Sequence, residues 1–205
     1  MKKCLIISGG DFAPIENKMY DFIIACDRGY SYALQMNITP DLIIGDFDSY
    51  DGEFSDNIEV IRLPEEKDDT DTMHAVKYAM QNGYQDITIC CAFGGRLDHT
   101  YANIQTASYI SEHGGHPCII GKDTVLYIIR NTSMNITRSN DSYISVFSYS
   151  QKCTGVSLKG LKYAADNIEM TSSFPLGVSN EWAEPQATVS VKSGTLLIII
   201  SKKTM

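Results

Sequence analysis

The spacing of hydrophobic and polar positions changes character near residue 121. Before that point, apolar runs of four to seven residues alternate with segments whose apolar positions recur at helical spacing. The runs are CLIIS, DFIIAC, DLII, IEVIRL, DITICCA and PCIIG. Few polar residues interrupt them, which is the pattern of strands covered by helices on both faces of a mostly parallel sheet. Between the runs, RGYSYALQMN and TDTMHAVKYAMQNG read as helices. The second carries Met73, Val76, Ala79 and Met80 on one stripe and meets Gly83 as its stop. A third helix is expected from Asp98 to His113, with Ile104, Ala107 and Ile110 inward and Gly114-Gly115 at its end.

Beyond this point no helix-length periodic segment survives. TVLYIIRN, MNITR, SYISVFSYS, GVSLKG, ATVSVKSG and TLLIIIS are short strand-like runs separated by Asn, Asp, Ser and Gly. Such spacing implies a small sandwich or barrel. The expected architecture is therefore α/β: a doubly wound, mostly parallel sheet domain over residues 1–121, followed by a small all-β sandwich over residues 122–205.

Composition narrows the function classes. With 43% apolar residues in 205, the chain can bury a substantial core. Seventeen Lys and Arg against 25 Asp and Glu give a net charge of −8, which argues against nucleic acid or an acidic membrane surface as partner. Cys4, Cys26, Cys90, Cys91 and Cys118 lie in or beside apolar runs without two-residue zinc spacing, so they read as buried thiols. The start, MKKCLIISGG, is too short in apolar residues for a signal core, and no run approaches a membrane span. The expected location is cytoplasmic. On that reading the sequons at Asn37, Asn131, Asn135 and Asn140 carry no sugar.

The acidic residues are placed, not scattered. DFIIAC runs into Asp27-Arg28-Gly29, and DLII runs into GDFDS with Asp46 and Asp48 two positions apart. IEVIRL leads to Asp68, Asp69, Thr70 and Asp71, and DITICCA to Gly94-Gly95-Arg96-Leu97-Asp98-His99. Open parallel sheets bind ligands at the carboxyl ends of their strands. Four successive strand ends carrying aspartates repel one another unless a cation compensates them. Magnesium suits oxygen ligands and commonly sits between a few carboxylates and nucleotide phosphates. Asp46, Asp48, Asp71 and Asp98 are its candidates, the first two on the premise that residues i and i+2 of an extended segment share a face. Asp69 reads as a solvated acid. Thr70 or Asp71 would cap the helix that follows, whose N-terminus suits a phosphate, and Arg96 beside paired glycines adds a planar fork. The P-loop, the dinucleotide GxGxxG and the GxSxG elbow are all absent from the sequence.

DLIIGDFDS, EKDDTDTMHAV and GGRLDHTYANI, followed by GLKY and GVSNEW in a β-rich tail, closely resemble the thiamine pyrophosphokinase family. The resemblance covers nearly the whole chain. It implies an α/β domain followed by a β-sandwich, a homodimer with active sites where subunits meet, and transfer of a diphosphoryl group from ATP to thiamine with release of AMP. By motif, Asp46, Asp48 and Asp71 would hold Mg2+, and Asp68, Thr70, Arg96, Asp98 and His99 would surround the phosphates. Asp27 would lie near the nucleoside, and Ser179 and Asn180 near the thiamine pyrimidine. Trp182, the only tryptophan, has two readings, a stacking partner for thiamine or a core filler. Another alcohol acceptor such as a hydroxymethylpterin, a magnesium-dependent nucleotide phosphohydrolase and an inactive nucleotide-binding module are the alternatives.

Overall fold

A computed structural model of the chain describes residues 1–15, 20–47, 54–55, 57–64 and 68–203. The chain divides into two compact units, Met1–Lys122 and Asp123–Met205.

The first unit contains β1 (Lys3–Ile7), β2 (Phe22–Cys26), α1 (Gly29–Gln35), β3 (Leu42–Gly45), β4 (Glu59–Arg62), α2 (Asp71–Gln81), β5 (Asp86–Cys90), α3 (Leu97–Glu112) and β6 (His116–Ile120). Its strands run in the order β6-β5-β1-β2-β3-β4, and every pairing is parallel. Cys4 to Ile7 of β1 are fully buried, so both faces of the sheet are covered. Leu5, Ile7 and Ile23 join Tyr32 and Ala33 of α1 in one cluster. Alternation turns Ile6, Ile24 and Ile44 to the opposite face, where Ser8 and Cys26 reach Thr72 and Asp71 of α2.

The helices differ in register from the sequence expectation. In α2 the fully buried positions are Thr72, Ala75, Val76 and Ala79, while Met73 and Met80 are half-buried. The inward stripe is thus turned from the predicted one, and small residues let α2 approach the sheet. In α3, Ala107 and Ile110 are buried as expected, but Ile104 is half-buried and Asn103 takes an inward place. Strand β4, an edge strand, has no fully buried residue.

The second unit contains β7 (Thr124–Arg130), β8 (Ser133–Thr137), β9 (Ser142–Ser148), β10 (Lys152–Lys159), β11 (Ala165–Thr171), β12 (Gly177–Asn180), β13 (Gln186–Ser190) and β14 (Thr195–Lys202). These form two antiparallel layers, β12-β9-β14-β7 and β11-β10-β13-β8. Ile144, Val146, Leu196 and Ile198 of the first layer share one core with Val156, Leu158, Ala187 and Val189 of the second. That shared core makes the unit a sandwich. Strands β11 and β12 were not anticipated from the sequence. Each is an edge strand, and β11 buries only Met170 fully, so neither carries the apolar alternation that announces a strand.

All six cysteines are free thiols, five of them buried and Cys118 half-buried. Burial, with the charge of Asp41 adding to it, pushes the Cys4 thiol up to about 12. No helix among the described residues is long and apolar enough to cross a membrane.

Candidate active site

The chain order reverses beside β1. Strands β2, β3 and β4 extend the sheet on one side of β1, whereas β5 and β6 lie on the other. The chain leaving β1 and the chain leaving β5 continue to opposite sides of the strand order, and the carboxyl edge at such a switch point is where open α/β sheets bind ligands. A cleft of about 520 Å³ occupies this place. It is lined by Ser8 to Asp11 after β1, Cys26 to Arg28 after β2, Asp46 after β3, Thr70 to Thr72 at the start of α2, and Ala92 and Gly94 to Arg96 after β5. His99 and Asn103 of α3 complete it.

Of the residues singled out from sequence, Asp27, Asp46, Thr70, Asp71, Arg96 and His99 thus meet in one cleft. Asp68 is exposed and outside the lining, and Asp98 sits beside it, joined to Arg96. Asp48 lies outside the described residues. Strand β3 ends at Gly45, and Phe47 has a left-handed backbone, φ 63°, so the backbone is not extended at Phe47. Phe47 is held there by burial against Ala25, Tyr30 and Ile43, with Phe54 at 4.7 Å. Asp69 is not merely solvated: it is half-buried and accepts a hydrogen bond from Lys77.

The rim is built from strained turns. Besides Phe47, Asp27 (φ 47°) and Cys91 (φ 55°) are left-handed, so the turns just after β2, β3 and β5 each contain a non-glycine residue of this kind. Such residues cost ~1–3 kcal/mol each and gather where a site must be held in shape. Gly94 (φ 83°) is needed twice over: its backbone is left-handed, and a Cβ there would meet the Asp11 carboxylate at 1.9 Å. The loop after β1 is tied to this loop by Gly10 N–H donating to the Cys91 carbonyl and Asp11 N–H to that of Phe93, both at 2.7 Å.

Helix α2 opens on a side-chain cap. The Thr70 hydroxyl accepts from Met73 N–H at 3.2 Å, so Thr70 rather than Asp71 is the capping residue. Asp71 then stands in the first turn, where the helix dipole favours negative charge. The Ser8 and Thr72 hydroxyls bond at 2.7 Å and pin the end of β1 to α2. Helix α3 is fixed by Asn103, whose amide donates to the Ala92 carbonyl at 2.8 Å.

Arg96 donates to both carboxylate oxygens of Asp98, at 3.2 and 2.7 Å. The pair lowers the Asp98 carboxyl and raises the Arg96 guanidinium, chiefly through these hydrogen bonds. Both side chains are well exposed, so the pair is solvent-screened and contributes little to stability. Its effect is orientation, with the arginine fork held at the cleft edge.

Carboxylates dominate the lining, with Asp11, Asp27, Asp46 and Asp71 all present. Their oxygen donors suit a hard divalent cation. Among the described residues no three acids, imidazoles or thiols gather tightly enough to hold an ion unaided. A cation held there would complete its shell with water and phosphate.

In the second unit, Ser179 is left-handed (φ 55°), and its N–H donates to the Ser145 hydroxyl at 3.0 Å. Asn180 is buried, its amide exchanging bonds with the Tyr163 backbone at 3.0 and 2.8 Å and accepting from Glu181 N–H. Trp182 packs against the sandwich core and donates its indole N–H to Ser142 at 3.1 Å.

Residues 15–119 match the family model described as thiamin pyrophosphokinase, catalytic domain, and residues 131–196 match thiamin pyrophosphokinase, vitamin B1 binding domain. The chain belongs to the thiamin pyrophosphokinase family. It is 29% identical over 184 residues to thiamine pyrophosphokinase of Bacillus subtilis, covering 87% of this chain and 86% of that one. The crystal structure of thiamine pyrophosphokinase from B. subtilis superposes with a TM-score of 0.88 at 26% identity, over 99% of this chain and all of the other. A thiamin pyrophosphokinase family protein from Enterococcus faecalis gives 0.83 at 26%, each chain covered in full. Thiamin pyrophosphokinase from Candida albicans, at 16% identity and a TM-score of 0.78 over 98% of this chain and 89% of that one, shares the fold.

The residues that sequence reasoning missed are those after β1. Ser8-Gly9-Gly10-Asp11 follows an apolar run as the other acidic clusters do, and that position was its available signal. Asn103 carried no separate signal, since it acts through the Ala92 carbonyl on the preceding loop, and Arg28 was visible only as the cation beside Asp27.

Proposed function

We propose that the chain transfers the diphosphoryl group of ATP to the hydroxyl of thiamine, giving thiamine diphosphate and AMP. One observation carries the reading: in a chain matched by both family models, a nucleotide-sized cleft at the topological switch point combines carboxylates, a capped helix N-terminus and a glycine-arginine loop. The cation is Mg2+, held by Asp46 and Asp71 together with Asp48. Bound there, it neutralises charge on the phosphates. The first-turn N–H groups of α2, the Gly94-Gly95 backbone and Arg96 hold the triphosphate, with Thr70 and His99 bordering it. Asp98 orients Arg96, and Asp27 lies near the nucleoside. The thiamine hydroxyl oxygen attacks the β-phosphorus and gives up its proton to water, the bond from that phosphorus to the α,β-bridging oxygen breaks, and its electron pair leaves on AMP. Transfer of this kind depends on positioning and charge stabilisation more than on covalent help from the protein.

Thiamine binding is assigned to the second unit. Ser179 faces the acceptor, and Asn180 and Trp182 shape the segment around it, since their polar groups already bond within the sandwich. The protein works in the cytoplasm as a homodimer with active sites between subunits. Exposed Phe174, Leu176 and Val178 are apolar surface of the kind a subunit contact covers. A monomer by light scattering at assay concentration would reject the dimer.

The test is a product assay with ATP, magnesium and one acceptor at a time. AMP and thiamine diphosphate formed in equal amounts support the reading. Phosphate release without acceptor marks a hydrolase, AMP formed only with a hydroxymethylpterin marks a different pyrophosphokinase, and binding without turnover marks an inactive module.

A further inference from the structure

We propose that Arg28 is a second phosphate-binding arginine of the cleft, gripping the polyphosphate of the nucleotide opposite Arg96; this rests on the reading of the cleft as an ATP site. Of the described lining residues, only Arg28, Arg96 and His99 can carry positive charge, against four aspartates. A triphosphate entering that field needs cationic partners besides one metal ion. Arg96 is engaged by Asp98. Among the described residues no carboxylate forms an ion pair with Arg28.

Arg28 is aimed by its surroundings. Its guanidinium lies over the Tyr32 ring, 5.3 Å from the centroid. Tyr32 is itself fixed, with its hydroxyl donating to the Gly10 carbonyl at 2.9 Å and its ring packed against Phe12 at 5.3 Å. A guanidinium resting on a ring face keeps its N–H donors available for an oxyanion, which a lysine cannot reproduce as a fork. The backbone beneath is equally constrained. Asp27 is left-handed, and a Cβ on Gly29 would come within 2.0 Å of the Ile7 carbonyl, so the turn lies directly on the end of β1. The side chain is exposed and lines the cleft, so its charge and planar shape are available to a ligand. A donor held in place before the ligand arrives loses little freedom on binding.

The experiment measures equilibrium binding of α,β-methylene-ATP and of adenosine, with magnesium, to the wild type, Arg28→Lys and Arg28→Gln, alongside AMP release from ATP and thiamine. The expected result is that Arg28→Gln weakens the analogue about tenfold or more, as for loss of a charge-assisted hydrogen bond. Arg28→Lys should fall between, and adenosine affinity should stay unchanged in all three. Unchanged analogue affinity in Arg28→Gln, or equal weakening of analogue and adenosine, overturns the assignment. If the wild type releases AMP while Arg28→Gln binds the analogue normally, this inference alone fails. A wild type that neither binds the analogue nor releases AMP removes the ATP reading and this inference with it.

Discussion

Glu181, outside the cleft, is strongly perturbed by two lysine neighbours. Lys162 and Lys203 each donate to it at 2.9 Å and hold its carboxyl at about 2, below the ordinary 4.5. A carboxyl depressed in the folded state contributes stability that is fully present above the unfolded value and is lost as pH falls toward the folded one. The Glu181→Gln variant should therefore be less stable than wild type at about pH 6, with the gap narrowing below about pH 4.5 and closing near pH 2. Urea midpoints across this pH range check this, and added salt should shrink the gap because the group is exposed. At this scale the sequence was informative wherever a side chain acts close to its own strand end, as Asp46, Thr70, Asp71 and Arg96 do. It was silent where the partner is remote. Nothing local tells that Asn180 spends its amide on the Tyr163 backbone, or that Ser8 meets Thr72 sixty-four residues on.

Elements were legible in proportion to how fully they are buried. Strands β1, β2, β3 and β5 each bury four consecutive residues and stand out as apolar runs. Edge strands β11 and β12 are half in water and left no such trace. Helix α2 was recognisable by its period and its stop at Gly83, yet its inward stripe was misjudged because methionine is counted as apolar while the sheet admits Thr72 and Ala75 instead. Its start is decided by Thr70. Replacing Thr70 with Ala removes the acceptor for Met73 N–H and should cost about 1 kcal/mol of stability. Chemical denaturation measures that loss; a variant equal to wild type would show that the cap contributes nothing. Because the proposed phosphate site includes the same turn, a rise in the KM for ATP should accompany the loss.

On the scale of the whole molecule, the order of strands places the acids more than their sequence spacing does. Asp27, Asp46 and Asp71 come from the ends of β2 and β3 and the start of α2, and parallel pairing brings them to one edge beside the reversal at β1. Sequence patterns identified the parallel sheet and the sandwich class, but pairing order rests on contacts far apart in the chain and cannot be read from local periodicity. A net charge of −8, with four carboxylates on one cleft, makes a bare polyanion an unwelcome ligand. The central claim is that this acidic rim binds the nucleotide only together with a divalent ion. The direct measurement is calorimetric titration of α,β-methylene-ATP with magnesium and with a chelator, in wild type and in Asp46→Asn. The account predicts tight binding by wild type with magnesium, at least tenfold weaker binding with the chelator, and an Asp46→Asn variant, still folded by circular dichroism, that has lost this magnesium-dependent gain. Equal affinity with and without magnesium, or an undiminished gain in Asp46→Asn, would contradict it.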